Sequence, residues 1–245
     1  MEDFGDFEQY KVSSSTLTIP DSIYYIPNFI TEDEEEILTN KINDSSKIKW
    51  VGLSNRRLQN WGGVVHAKGL IAEPLPIWLS IYGNKVSRLG IFDGKSPNHV
   101  LINEYLAGQG IMPHEDGPAF YPTVATLSLG SYTVINYYPK NWIPSDRQQV
   151  ADYMAEPGRT VYRPREPSFS LLLQPRSLVI TSKEAYTSYL HGIDEVQKDT
   201  IDEKVVNLGS CTGVKVGDNL ERTTRLSLTI RYVPKAIQAR FLIGK

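Results

Sequence analysis

His114 and Asp116 stand two residues apart in "GIMPHEDGPAFYP" (110–122), directly after an apolar run that predicts a strand. On an extended chain, side chains at i and i+2 point to the same face. An imidazole nitrogen and a carboxylate oxygen are thereby aimed at one point, as a surface ion pair or as two ligands of a metal. His191, in "AYTSYLHGI", is a third candidate ligand, although alone it also reads as an ordinary histidine at a helix or loop end. His66, in a basic loop, and His99, before a strand, have no carboxylate two residues away. A second constellation lies near the C-terminus. In "RLSLTIR", Leu226, Leu228 and Ile230 share one face, and Arg225, Ser227, Thr229 and Arg231 share the other. Taken alone, this is a half-exposed strand with its polar side outward. If the polar side instead lines an interior, two buried arginines require an anion, and arginine suits bidentate carboxylate recognition. Asn103 and Tyr105 in "NHVLINEYLAGQG" alternate opposite Ile102 and offer an amide and a phenol to the same cavity. Gly108 and Gly110 permit a tight turn before His114.

Strands must position these groups. "HVLINEYL", "VATLSLGSYTVINYYP", "FSLLLQPRSLVITS" and "RTTRLSLTIRYV" are rich in β-branched, leucine and aromatic residues, separated by Gly, Pro and charged turns. "QPRS" predicts a hairpin turn between two of them. Many antiparallel strands in one domain imply a jelly-roll double sheet or a closed barrel. Before them, "SIYYIPNFI" (22–30) reads as a strand or an extended packed segment, and "TEDEEEILTNKI" opens a helix with a Thr31–Glu34 capping box and an acidic first turn. A second helix is expected over 74–90, with Ile77, Leu79, Ile81, Val86 and Leu89 as packing residues. The two helices would cover one sheet. Residues 140–168 read as a long insertion loop, and 194–222 as another.

Composition bounds the class. The 245 residues are 40% apolar and 22% charged with net charge −2, ordinary for a globular protein and no signature of a nucleic-acid binder. Cys211 is the only cysteine, so no intrachain disulfide can form, and a reducing compartment is expected. The acidic start "MEDFGDFEQYK" lacks the apolar stretch of a signal peptide, and no apolar run approaches the roughly 20 residues that span a bilayer.

The order Asn-x-Tyr-x-x-Gly (103–108), His114-x-Asp116, His191-Gly192-Ile193 and Arg225-x-Ser227-x-Thr229-x-Arg231 resembles the AlkB-like Fe(II)/2-oxoglutarate-dependent dioxygenases. "PDSIYYIPNFITEDEEEIL", "KWVGLSNRRLQNWGG", "LSLGS" (127–131) and the C-terminal "RLSLTIRYVPKAIQARFLIGK" extend the resemblance over nearly the whole chain and toward a eukaryotic branch of that family. It implies an α+β, mainly β fold with a double-stranded β-helix (jelly-roll) core and N-terminal helices packed on one sheet. It also implies one domain over 1–245. Residues 1–95 would form an N-terminal extension and substrate lid. A core over 96–233 would carry the insertion near 140–168, and 234–245 would be a C-terminal tail. His114, Asp116 and His191 would bind Fe(II), leaving positions for 2-oxoglutarate and O2. Arg225 would pair with the distal carboxylate of 2-oxoglutarate, and Arg231 would lie at the keto-acid and iron side. Asn103, Tyr105 and Ser227 would hydrogen-bond the co-substrate. No catalytic residue separate from the metal site is expected. The chemistry would be oxidative decarboxylation of 2-oxoglutarate coupled to hydroxylation of a methyl group, with an N-methyl product collapsing to formaldehyde.

The segment 47–69 holds five Lys or Arg residues and two tryptophans, a composition suited to phosphate contact and base stacking. Arg57 and Trp61 resemble part of the family's lid over a flipped nucleotide. The same segment also reads as a twisted surface hairpin with Trp61 packed in the core. Arg159, Arg163 and Arg165 could add a phosphate-facing surface. Two departures from the family pattern stand out. Pro118, two positions after Asp116, cannot donate a hydrogen bond. Ser227 replaces a longer asparagine between the arginines. The resemblance implies demethylation of N-methylated bases in single-stranded or flipped RNA or DNA, in cytoplasm or nucleus, with no membrane or disulfide-linked partner. The competing readings are the same chemistry on a protein side chain, or a non-catalytic jelly-roll binding module.

Overall fold

The computed structural model describes residues 6–66, 68–140 and 166–237. Most of the expected insertion, with Arg159, Arg163 and Arg165, and most of the expected tail lie outside the described residues.

Two antiparallel sheets face each other. The major sheet combines β1 (Ile23–Ile26), β2 (Trp50–Leu53), β3 (Arg56–Trp61), β6 (His99–Tyr105), β8 (Thr123–Leu129), β11 (Leu178–Ser182) and β15 (Arg225–Arg231) in the order β1-β11-β8-β15-β6-β3-β2. The minor sheet runs β10-β9-β12-β7, from β7 (Ile111–His114), β9 (Thr133–Pro139), β10 (Phe169–Leu173) and β12 (Tyr189–Ile193). This is the jelly roll expected. Outside it lie a three-stranded sheet of β4 (Gly63–His66), β5 (Gly69–Ala72) and β16 (Ala236–Ile237), and a ribbon of β13 (Lys198–Thr200) and β14 (Asn219–Glu221).

The period-2 alternation of β15 decides which face each side chain takes. Leu226, Leu228 and Ile230 join Val100 and Ile102 of β6 and Leu127 and Leu129 of β8 in a core under the two helices. Helix α1 (Glu32–Asn43) starts at Thr31, whose hydroxyl accepts from Glu34 N–H while the Glu34 carboxylate accepts from Thr31 N–H. Leu38 and Ile42 face the sheet and are fully buried, each contributing about 1.5–3 kcal/mol by leaving water. Glu35 ties the helix down by accepting from Gly130 N–H and from Arg176.

Helix α2 (Ile77–Ser87) turns a different face inward than expected. Leu79 and Val86 are buried, but Ile77 and Ile81 are 81% and 54% exposed, and Tyr82 and Gly83 take the inner stripe. Gly83 lies beside Pro97, whose Cβ would stand 3.9 Å from a Cβ added there, an ordinary contact. "QPRS" is not a hairpin turn. It carries the chain from β10 in the minor sheet to β11 in the major sheet, with Arg176 at φ 65° making the corner. Residues 194–222 are not a bare loop either. Asp199 and Arg222 form a buried bidentate ion pair at 2.6 and 2.7 Å, and Ile201 and Val205 pack against Val134 and Leu172. Among the described residues, no helix is long and apolar enough to cross a membrane.

Candidate active site

The space between the sheets is a cavity of about 200 Å3. The major sheet lines it with Leu101, Asn103 and Tyr105 from β6 and with Arg225, Ser227, Thr229 and Arg231 from β15. The minor sheet contributes His114, Ile135, Tyr137 and His191. The polar side of the last core strand therefore faces inward, and the half-exposed reading of that strand does not hold.

His114 and His191 meet across β7 and β12. Their Cα atoms are register partners and their ring centroids are 4.4 Å apart. Directly opposed residues of an antiparallel pair share a face, so both imidazoles enter the cavity. Gly192 allows the approach, because a Cβ there would stand 2.9 Å from Pro113 N. Pro113 removes one ladder donor, which the edge position of β7 tolerates. His114 Nδ1 lies 2.9 Å from Met112 O; a carbonyl can only accept, so Nδ1 carries the proton and Nε2 presents its lone pair. His191 Nε2 lies 3.8 Å from Asp116 Oδ2.

The electrostatics favour a ligand set. Burial lowers the His114 pKa, outweighing the Met112 hydrogen bond and the Asp116 charge. Burial, then the neighbouring His114, take His191 down to about 4. Both imidazoles are thus neutral at pH 7. Burial opposes ionisation of Asp116, but Arg231 and then the two imidazoles outweigh it and hold its carboxyl below the ordinary range. Arg231 Nη2 donates to Asp116 Oδ1, and its guanidinium lies 4.6 Å from the Phe120 ring centroid. Among the described residues, no three His, Cys, Asp or Glu side chains close to coordinating geometry around one point. Even so, two neutral imidazoles and one ionised carboxylate lining one cavity are the donor set of an Fe(II) facial triad, and they fit that metal.

At the other end of the strand Arg225 is 3% exposed. Its Nη2 donates to Ser128 Oγ at 2.8 Å, its Nε has no partner, and the Tyr105 ring centroid is 5.8 Å away. Burial lowers its pKa to about 10. A buried cation without an adjacent carboxylate fits an acidic ligand group, such as the distal carboxylate of 2-oxoglutarate.

The eight residues His114, Asp116, His191, Asn103, Tyr105, Arg225, Ser227 and Arg231 thus line one cavity. Arg57 and Trp61 do not reach it. Register pairs Arg57 with Glu104 and Trp61 with Val100, on the helix-covered side of the major sheet. There Arg57 makes a bidentate pair with Glu104 at 2.6 and 2.8 Å and lies 4.1 Å from the Trp50 ring centroid. Trp61 packs edge-on against Trp78. The adjacent Arg56 takes the cavity side instead, its Nε donating to Asn103 Oδ1 at 3.1 Å. Once β3 is paired with β6, alternation alone identifies Arg56; the sequence without that register does not.

The family model for the 2OG-Fe(II) oxygenase superfamily matches residues 26–231. The chain belongs to that superfamily, whose enzymes use Fe(II) and 2-oxoglutarate. It is 48% identical over 240 residues, covering 98% of this chain and 96% of the relative, to the Danio rerio protein named "Probable RNA/DNA demethylase ALKBH6". It is 31% identical over 216 residues to "Uncharacterized protein L905" of Acanthamoeba polyphaga mimivirus, covering 86% of this chain and 84% of that one. Among solved structures, that of OsALKBH1 matches at a TM-score of 0.52 and 15% identity, over 88% of this chain and 99% of that chain, a likeness of fold.

Proposed function

We propose that the chain acts as one oxygenase domain that oxidatively demethylates N-methylated bases of RNA or DNA. The reading rests on one observation: donors suited to a metal, on the minor sheet and just beyond β7, and donors suited to a dicarboxylate, on the major sheet, line the same cavity. The naming of the Danio rerio relative supports the substrate class.

In this reading His114, Asp116 and His191 hold Fe(II), which with 2-oxoglutarate supplies the oxidising chemistry. Arg225 binds the distal carboxylate, and Asn103, Tyr105 and Ser227 orient the rest of the co-substrate. Arg231 holds Asp116 ionised and fixed in rotation, so the carboxylate needs little reordering to serve as a ligand. One O2 and one 2-oxoglutarate give succinate, CO2 and one hydroxylated methyl group. The N-hydroxymethyl product releases formaldehyde and leaves the bare N–H. The cavity is smaller than the roughly 300–1,000 Å3 of drug-sized sites, so a base must present its methyl group at the mouth, out of the stack. Arg56, partly exposed at that mouth, is placed to meet a phosphate. The protein would then work in cytoplasm or nucleus, where such substrates reside.

The test is succinate release from labelled 2-oxoglutarate with Fe(II) and a panel of methylated oligonucleotides, alongside methylated peptides. Turnover and formaldehyde with an oligonucleotide, lost in His191→Ala, is the expected result. Turnover with peptides alone would replace the nucleic-acid substrate by a protein side chain. Unchanged metal binding in His191→Ala would remove that ligand assignment.

A further inference from the structure

Four buried side-chain polar atoms among the described residues lack a hydrogen-bond partner, and two of them are Thr133 Oγ1 and Arg225 Nε. Both residues line a second, small cavity of about 10 Å3 behind the main one. Tyr105, Ile193 and Arg225 form the wall common to the two. Thr133 reaches it by alternation along β9, two residues below Ile135 and four below Tyr137, which face the main cavity.

The volume matches the space of about 10–15 Å3 that admits a single water, and such a site needs two or more polar partners. Arg225 Nε can only donate, and a threonine hydroxyl can accept. Two of the other polar groups around the space are engaged within the protein. Arg222 is held by Asp199 and by Asp194 O at 2.7 Å, and the Gln109 amide oxygen accepts from Leu106 N–H at 2.9 Å.

We propose that Thr133 and Arg225 hold one buried water between them and that this water sets the plane of the Arg225 guanidinium. The water accepts from Nε–H and donates to Thr133 Oγ1. Ser128 Oγ anchors the guanidinium at Nη2, and the water anchors it at Nε, so the plane can no longer rotate. Bidentate recognition of a carboxylate depends on that plane. Thr133 is therefore a positioning residue for co-substrate binding, an inference that rests on Arg225 holding the 2-oxoglutarate carboxylate.

Calorimetric titration of 2-oxoglutarate into the Mn(II)-loaded full chain tests it, with three variants beside the wild type. Thr133→Val keeps the shape and removes the hydroxyl; the expected result is an about three- to tenfold weaker 2-oxoglutarate Kd, the loss of one net hydrogen bond. Thr133→Ser keeps the hydroxyl and is expected within about twofold of wild type. Mn(II) affinity should be the same in all three. Equal Kd in Thr133→Val and wild type, or equal weakening by valine and serine, overturns the inference. Arg225→Met reads the underlying assignment separately: if it leaves the 2-oxoglutarate Kd unchanged, the role of Arg225 fails rather than that of Thr133. A high-resolution crystal structure supplies the direct measurement. Density within hydrogen-bond distance of both Thr133 Oγ1 and Arg225 Nε is expected, and a direct contact between the two side chains overturns the water.

Discussion

Replacing Arg225 by methionine should make the protein more stable and useless at once. Arg225 is 3% exposed, its one hydrogen bond to a protein side chain is to Ser128, and burial holds its pKa at about 10. At about 1.4 kcal/mol per pK unit, that depression corresponds to roughly 3 kcal/mol of destabilisation. The sign follows from linkage. A base whose folded pKa is depressed is disfavoured in its charged form. At pH 7 arginine is charged both folded and unfolded, so the full penalty is present there and fades only as pH rises past about 10. Methionine removes the charge and fills similar space, while the lost hydrogen bond to Ser128 gives back about 1–1.5 kcal/mol. The net gain of roughly 1–2 kcal/mol raises Tm by about 2–8 °C for a chain of this size. 2-Oxoglutarate would lose its buried ionic partner, a change of about 3–5 kcal/mol, or roughly 10²- to 10⁴-fold in Kd. Thermal scans with Mn(II), with and without 2-oxoglutarate, measure both effects. Wild type should gain stability on adding the acid and Arg225→Met should not, although its ligand-free Tm is higher. A lower ligand-free Tm together with an undiminished response to 2-oxoglutarate would refute the account of Arg225 as a cation awaiting a carboxylate.

Three further outcomes are expected. Arg57→Ala should lower stability by about 1–3 kcal/mol, since it leaves the buried Glu104 carboxylate without its bidentate partner, and leave turnover unaltered, whereas Arg56→Ala should raise the oligonucleotide KM and flatten its salt dependence; steady-state kinetics at several salt concentrations separate them. Gly110→Ala places a methyl group in overlap with the Ile193 carbonyl, which must push β7 from β12 and separate His114 from His191; Mn(II) affinity measured by paramagnetic resonance should fall at least about tenfold while far-ultraviolet dichroism is kept. Burial raises the Cys211 thiol to about 11, so at pH 8 alkylation should run roughly a hundredfold slower in the folded protein than in urea, read by mass spectrometry; equal rates would contradict the burial.

Much of the site was legible because strand alternation is a local property. His114-x-Asp116 and the four polar residues of β15 carry their face assignment in their spacing, and Asn103 and Tyr105 do the same on β6. The capping box at Thr31 was legible for the same reason, being written within four residues. What depended on long-range pairing was not. Arg56 and Arg57 differ by one position, and only pairing with β6 says which enters the cavity. The turn at Arg176 looks like a hairpin until β10 and β11 are assigned to opposite sheets. The inner face of α2 is not legible locally, because its apolar residues run round the helix and only packing on the sheet selects Tyr82 and Gly83 beside Leu79 and Val86 and leaves Ile77 and Ile81 outside. The Asp199–Arg222 pair hides in a stretch of loop-like composition, since only tertiary burial turns two ordinary charged residues into a structural clamp.

The placement of both arginines on β15 has a consequence for selectivity. This strand is hydrogen-bonded on both sides, by β6 and β8, so its length cannot adjust. Six residues of extended chain set Cα225 and Cα231 about 20 Å apart. Both side chains reach into the same cavity, so in the proposed reading they gauge the distance between the end that would grip the distal carboxylate and the end beside the metal ligands. On the proposed assignment, a keto diacid one carbon shorter or longer would meet a calliper of set span, and discrimination among such acids would follow from backbone rise.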